Sequence, residues 1–381
     1  MVVSQDPFAN YTDGFVVWIR KCYRDLKEIL TKAATSDRFV LLGTAGIGKS
    51  VFTLFWICFR VTLGEKVVWR TSEDAWYLLD FSKEGPASVR RFQESAHELK
   101  SVLDNSEAWL ILDGGQRGPL TYACHILVAC LVKKENYNKF SKNQLVSLRY
   151  VPAWSEEGMR KFLDDFESLR GSYSHMHVPE KDEAMKSFEK LGGVPRYVLH
   201  SKKTAEALVR METAVTYLSK ESCLKFFTGI FEDAKMSDTL VHIFVKCEDK
   251  SYESRFFDFA SPHVQVEFGK RFTRLSKVDV VDFLRSYSYK DAGSVYGYIF
   301  ELVAHELMRR GGKFPMKKVG FEGAKLSDPE PDTLELSSSM TVVEFAKVQE
   351  LVNQDTYYRP LNVNFESVDA VVYPRILLQF F

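Results

Sequence analysis

Short apolar runs recur through the first part of the chain and predict strands buried on both faces: Phe39 to Leu42, Lys66 to Arg70, Ala108 to Asp113 and His125 to Val132. Between the first two lies VFTLFWICF (51–59), an apolar helical segment stopped by Arg60. Strands alternating with helices through short turns predict an α/β fold with a doubly wound sheet, its ligand site at the carboxyl ends of the strands.

The pattern changes after Pro152-Ala153-Trp154. Ser155 followed by Glu156 and Glu157 reads as an N-cap with an acidic first turn, opening a mostly helical stretch to about Phe231. A strand-like VHIFVKC (241–247) and the aromatics Tyr252, Phe256, Phe257, Phe259 and Phe268 come next and are read as core, not as base-stacking positions. Gly297 to Leu307 is an amphipathic helix ended by Gly311-Gly312, and His305 on it reads as a packing residue. Residues 323–342, with two prolines and many Ser, Asp and Glu, read as a loop. Phe365 to Val372 predicts a strand containing Asp369, a hairpin at Pro374-Arg375 and a returning strand from Ile376 to Phe381.

Composition narrows the class. The chain has 381 residues, 45% hydrophobic and 27% charged, which excludes disordered and disulfide-scaffold classes and is long enough for two or three domains. Its 51 basic and 51 acidic side chains cancel, so any nucleic-acid contact must come from a local patch. Six scattered cysteines without metal-ligand spacing predict a reducing compartment and no structural zinc. The start lacks the basic-then-apolar layout of a signal peptide, and neither long apolar stretch reaches the roughly twenty residues of a bilayer span.

The sharpest signal is the turn between the first strand and the apolar helix. Gly43-Thr44-Ala45-Gly46-Ile47-Gly48-Lys49-Ser50 fits G-x-x-x-x-G-K-[ST] at every defined position. Glycines let the backbone N–H groups wrap closely around an anion, Lys49 would reach the β and γ phosphates, and Ser50 would ligate magnesium at the helix N-terminus. Such a site needs a second acidic residue at a buried strand end, and Asp113 of WLILD supplies it. The expected ligands are ATP, or another NTP, and Mg. No glutamate follows Asp113; Gly114, Gly115 and Gln116 come next, so slow hydrolysis with switch-like binding is expected. Lys139, Lys142 and Arg149 are given no role. In Leu191-Gly192-Gly193-Val194-Pro195-Arg196-Tyr197, a Gly-x-Pro turn can present Arg196 to the nucleotide; a helix-ending Gly, a Pro-started helix and a surface arginine is the equal alternative.

GTAGIGKS, WLILD, VPAWSEEGMRKF and GGVPRYVL together resemble the NTPase module of Crinkler effectors and of trypanosome retrotransposon hot spot proteins, and FDFASPHVQVEF (257–268) resembles the module that follows it. The resemblance implies a regulatory ATPase joined to a C-terminal restriction-endonuclease-like nuclease, acting as a secreted effector in a host nucleus. Its expected divisions are a P-loop NTPase core (1–150), a helical sensor region (151–235), a small winged-helix-like region (236–290) and a partial nuclease domain (291–381). Nucleases of that type draw one acid from the opening helix, here Glu301, and one from a strand, here Asp369, to hold magnesium. The lysine of their next strand is missing, so either Gln379 is a variant residue with Phe381 in the lysine position, or the pair lies beyond Phe381; the second is favoured.

Met308 to Gly320 carries Arg309, Arg310, Lys313, Lys317 and Lys318 without an acid. The run predicts a DNA phosphate grip or a solvated loop. Two functions remain: an ATPase gating a DNA nuclease, or a nucleotide-switched binding module with an inactive nuclease-like domain. Assembly into a homo-oligomer on loading suits either.

Overall fold

The structure is a computed structural model that describes residues 2–3, 15–34, 37–71, 73–81, 87–93, 97–114, 120–132, 134–142, 146–171, 178–219, 239–245, 250–272, 293–316, 332–337, 340–354, 356–360, 368–373 and 376–378. The chain divides into two compact units, Met1–Phe268 and Gly269–Phe381.

In the first unit, the short pair β1 (Val2–Val3) and β2 (Phe15–Val16) precedes α1 (Lys21–Thr31). Then come β3 (Arg38–Leu42), α2 (Lys49–Thr62), β4 (Val67–Arg70), β5 (Trp76–Asp80), β6 (Ser88–Phe92), α3 (His97–Leu103), β7 (Trp109–Asp113), β8 (His125–Cys130), α4 (Asn138–Ser141) and β9 (Val146–Tyr150). The sheet order is β6-β5-β4-β7-β8-β3-β9. Strands β4, β7, β8, β3 and β9 are mutually parallel; the first four carry nearly unbroken apolar runs, as strands covered on both faces do, while β9, at the edge, is half-buried. The expected doubly wound sheet needs one correction: β5 and β6 form an antiparallel hairpin on its edge, so the sheet is mixed.

Helix α2 is fixed by its buried side, where Lys49, Phe52, Thr53, Phe55, Trp56, Ile57 and Arg60 recur at helical spacing. Trp56 and Trp109, both fully buried, meet edge to face at 5.0 Å, and the Arg60 guanidinium covers both rings at 4.9 and 4.8 Å. The helix that starts in the glycine turn is thereby pinned to the middle of the sheet.

Helices α5 (Glu156–Leu169), α6 (Lys181–Leu191), α7 (Pro195–Val198) and α8 (Ser201–Thr216) follow. Ser155 caps α5 as expected, its Oγ accepting from Gly158 N–H at 3.1 Å. The hairpin β10 (Val241–Val245) and β11 (Arg255–Phe259) then leads to α9 (Pro262–Phe272). Tyr252, Phe257, Phe259 and Phe268 are buried, as their reading as core requires, while Phe256 is only half-buried and stacks on Phe244.

In the second unit, α10 (Gly293–Arg309) precedes the antiparallel hairpin β12 (Gly312–Met316) and β13 (Asp332–Leu336). A four-stranded sheet follows, β14 (Val342–Phe345), β15 (Tyr357–Pro360), β16 (Ala370–Val372) and β17 (Ile376–Leu378), parallel only between β14 and β15. Strand β13 corrects the reading of 323–342 as loop: Leu334 and Leu336 face the apolar cluster while Glu335 points away. Asp369 is also corrected, lying in the bend just before β16 with its N–H donating to Leu378 O at 2.9 Å.

Candidate functional site

The glycine turn leaves β3 and enters α2 with Gly46 at φ 76° and Gly48 at φ 108°, conformations that side chains resist. Its carbonyl oxygens are taken up by donors from distant segments. Lys49 Nζ donates to Gly43 O and Thr44 O, both at 2.9 Å, and so closes across the loop. Arg20 Nη1 donates to Ile47 O at 3.2 Å and Tyr23 Oη to Gly48 O at 2.7 Å. Burial pushes the Tyr23 hydroxyl well above its ordinary range, against the pull of Arg20, so it stays a donor. A trans peptide whose carbonyl is held on one side presents its N–H on the other, which turns the N–H groups of Gly48 and Lys49 toward an anion.

Ser50 Oγ donates to Asp113 Oδ1 at 3.1 Å. Two oxygen donors side by side, next to a lysine, suit a hard divalent cation that also takes phosphate oxygens. Burial raises the Asp113 carboxyl above the usual aspartate range, while the Ser50 hydrogen bond and then Lys49 and Arg70 pull it back. Cys130, at the end of β8, is a neutral thiol pushed up to about 12 by burial, with Lys49 lowering and Asp113 raising it. Residues 115–119, with Gly115 and Gln116, lie outside the described residues.

Arg196 stands at the loop. A Cβ added to Gly46 would fall 2.7 Å from Arg196 Cβ and 3.1 Å from its Nε. The arginine is exposed and follows the turn Gly192-Gly193, whose positions tolerate no side chain: a Cβ would meet Ala260 O at 1.8 Å from Gly192 and Trp154 O at 2.0 Å from Gly193. Ala45 is half-buried, and Thr44 Oγ1 accepts from Ile243 N–H of β10 at 3.2 Å. Beside Arg20 a cavity of about 490 Å³ opens, with Trp18, Trp154, Phe244 and Tyr252 in its walls.

Sequence reasoning missed Arg20, Tyr23 and Trp154. The one available hint was Arg20 itself, a charge breaking into the run Val16-Val17-Trp18-Ile19.

In the second unit, His305 is buried with Nδ1 2.7 Å from Tyr357 Oη and Nε2 3.3 Å from Glu301 Oε1. Burial raises the Tyr357 hydroxyl beyond its ordinary range; Arg359 opposes the rise, and Asp369 and Glu301 add to it. Among the described residues no group of three or more His, Cys, Asp or Glu could hold a metal. The basic run meets acids where it is described. Arg309 and Arg310 pair with Glu306 at 2.9 and 2.8 Å, and Lys313 faces Glu335 at 3.6 Å, so the acids missing from the run come from α10 and β13. Lys317, Lys318, Pro374, Arg375, Gln379 and Phe381 lie outside the described residues. No described helix is long and apolar enough to cross a membrane.

No protein-family model matches the chain. It is similar to Crinkler effector protein 15 of Phytophthora infestans, 24% identical over 350 residues, covering 87% of this chain and 52% of that protein. Crinkler effector protein 16 of the same organism is 23% identical over the same shares. The chain therefore spans about half the length of the curated relatives it matches. Among solved structures, the S. cerevisiae Hsp104-ADP complex aligns with 77% of this chain and 42% of its own at TM-score 0.33 and 14% identity. A DnaA replication initiator bound to AMPPCP and single-stranded DNA aligns with 78% of this chain and 91% of its own at TM-score 0.33 and 13% identity. The α/β assignment rests instead on the strand order and the loop described above.

Proposed function

We propose that this chain is a Crinkler-like regulatory NTPase, which binds ATP or another NTP with magnesium at residues 43–50 and Asp113 and hydrolyses it slowly. The observation that carries the reading is the joint placement of Lys49 across Gly43 and Thr44 and of Ser50 against Asp113. On binding, Lys49 would exchange its two carbonyl acceptors for phosphate oxygens, and the N–H groups of the loop would bind the remaining charge. Ser50 and Asp113 would hold magnesium, whose charge offsets that of the phosphates. Arg196 would approach the γ-phosphate from the far side of Gly46. The aromatic-walled cavity beside Arg20 has the size and lining for a nucleobase. No residue near Asp113 acts as a base in this reading, and the chain works as a switch that can assemble when loaded. Titration of ATP and ADP with magnesium against wild type and Lys49→Ala tests it: binding by wild type and its loss in the variant support it.

A second reading, a magnesium-dependent DNA nuclease in the second unit gated by the first, is favoured by the buried chain in which His305 joins Glu301 at 3.3 Å to Tyr357 at 2.7 Å. Its action in a host nucleus follows the resemblance to effectors. Plasmid nicking by wild type, lost in Asp369→Ala, would support it; no nicking with magnesium and ATP leaves a docking domain.

A further inference from the structure

A closed ring of contacts runs through the first unit. Arg20 Nη1 holds Ile47 O, and Nη2 of the same guanidinium donates to Pro152 O at 2.8 Å and reaches Ala153 O at 3.4 Å. The guanidinium lies over the Trp154 ring at 4.8 Å. Trp154 N–H donates to Gly193 O at 2.9 Å, and its carbonyl presses on Gly193 so closely that only hydrogen fits there. Three residues on, Arg196 returns to Gly46, the neighbour of Ile47.

The member that closes this ring is chemically unusual. Arg20 is only 9% exposed, and no carboxylate pairs with it among the described residues. Its donors are used on carbonyls of two separate segments, which the planar guanidinium holds in one fixed geometry. Arg196, by contrast, has no hydrogen-bond or ion-pair partner among the described residues. One arginine is spent on positioning, and the other is left for a ligand.

We propose that Arg20 is a positioning residue that couples occupancy of the loop to the placement of Arg196, through Trp154 and the Gly192-Gly193 turn. The proposal rests on the nucleotide-binding reading above. An anion bound by Gly48 N–H pulls on the peptide whose carbonyl Arg20 holds. Any shift of that peptide passes to the 152–154 segment and from there to Gly193 and Arg196. The γ-phosphate is the part of the ligand that Arg196 would read, so the coupling shows as preference for ATP over ADP.

The test uses the full chain with magnesium and calorimetric titration of ATP and ADP against wild type, Arg20→Lys, Arg196→Ala and the double variant. Each single change is expected to weaken ATP binding about ten-fold while ADP changes by less than about three-fold, and the double variant to be no worse than either. Equal losses for ATP and ADP in Arg20→Lys, or losses that multiply in the double variant, overturn the coupling. A wild type that binds neither nucleotide removes the functional reading and the proposal together, so the two failures are distinct. Should Arg20→Lys not fold, Trp154→Phe serves, since it keeps the backbone bond to Gly193 and an aromatic ring against Phe162 while changing the stack under Arg20. A reduced ATP preference is then expected, and an unchanged one overturns the proposal.

Discussion

Arg196 packs so closely on Gly46 that a methyl group added to the glycine would stand 2.7 Å from the arginine Cβ, although 150 positions separate the two in the chain. The contact joins the phosphate loop to the helical region that follows the sheet.

Gly46→Ala should therefore suffer twice, from a φ of 76° and from the collision with Arg196. We expect a loss of about 1–3 kcal/mol in stability and a clear loss of nucleotide affinity. Gly64→Ala is the control: it has a φ of 81°, but its nearest atom is Phe81 O at 3.8 Å, so it should cost about 1 kcal/mol and leave binding unchanged. Urea unfolding and ATP titration of both variants check this; equal effects would contradict it.

Asp113→Asn should stabilise the unliganded protein at neutral pH while removing magnesium-dependent binding. The sign follows from the raised folded-state pKa, whose first cause is burial. A raised acid favours the fold when protonated, and that advantage is lost as pH rises through the folded value. The gain from Asn is thus present at pH 7 and fades as pH falls toward the ordinary aspartate value of about 4, where wild type is protonated in both states. Thermal midpoints of the two proteins against pH measure it, and a variant less stable than wild type at pH 7 would refute it.

Tyr357→Phe removes the hydroxyl that meets His305 Nδ1 at 2.7 Å and leaves a buried ring nitrogen without that partner. The second unit should lose about 1–3 kcal/mol. If the gated nuclease reading holds, nicking should also change, because the other nitrogen of His305 meets Glu301 at 3.3 Å. Chemical unfolding and plasmid nicking separate the two effects.

Much of the first unit was legible because its signals are local. Strands β7 and β8 are apolar apart from Asp113 at the end of one and His125 at the start of the other, and the glycine turn is contiguous, so Lys49 and Ser50 fall where eight consecutive residues put them. The edge hairpin was not legible: Ser88–Phe92 is half polar and carries Arg90 and Arg91 outward, which reads as loop until β5 pairs with it. Strand β13 is hidden for the same reason, five residues with two acids inside a loop-like composition. Arg20 is invisible for another: its partner Pro152 is 132 positions away, and only the folded chain brings a lone arginine to those carbonyls. The basic run after Met308 is free of acids along the chain, yet Glu306 and Glu335 meet it in space, which no linear count of charge shows.

The central claim is a nucleotide switch built on Lys49. Removing that side chain takes away two hydrogen bonds inside the loop and, on this account, the contact to the phosphates. The most direct measurement is ATP binding and turnover with magnesium by wild type and Lys49→Ala, with circular dichroism to check the fold. The account predicts binding and slow turnover in wild type, at least about a hundred-fold weaker binding in the variant, and an intact fold in both. Equal ATP affinity in the two proteins would contradict it.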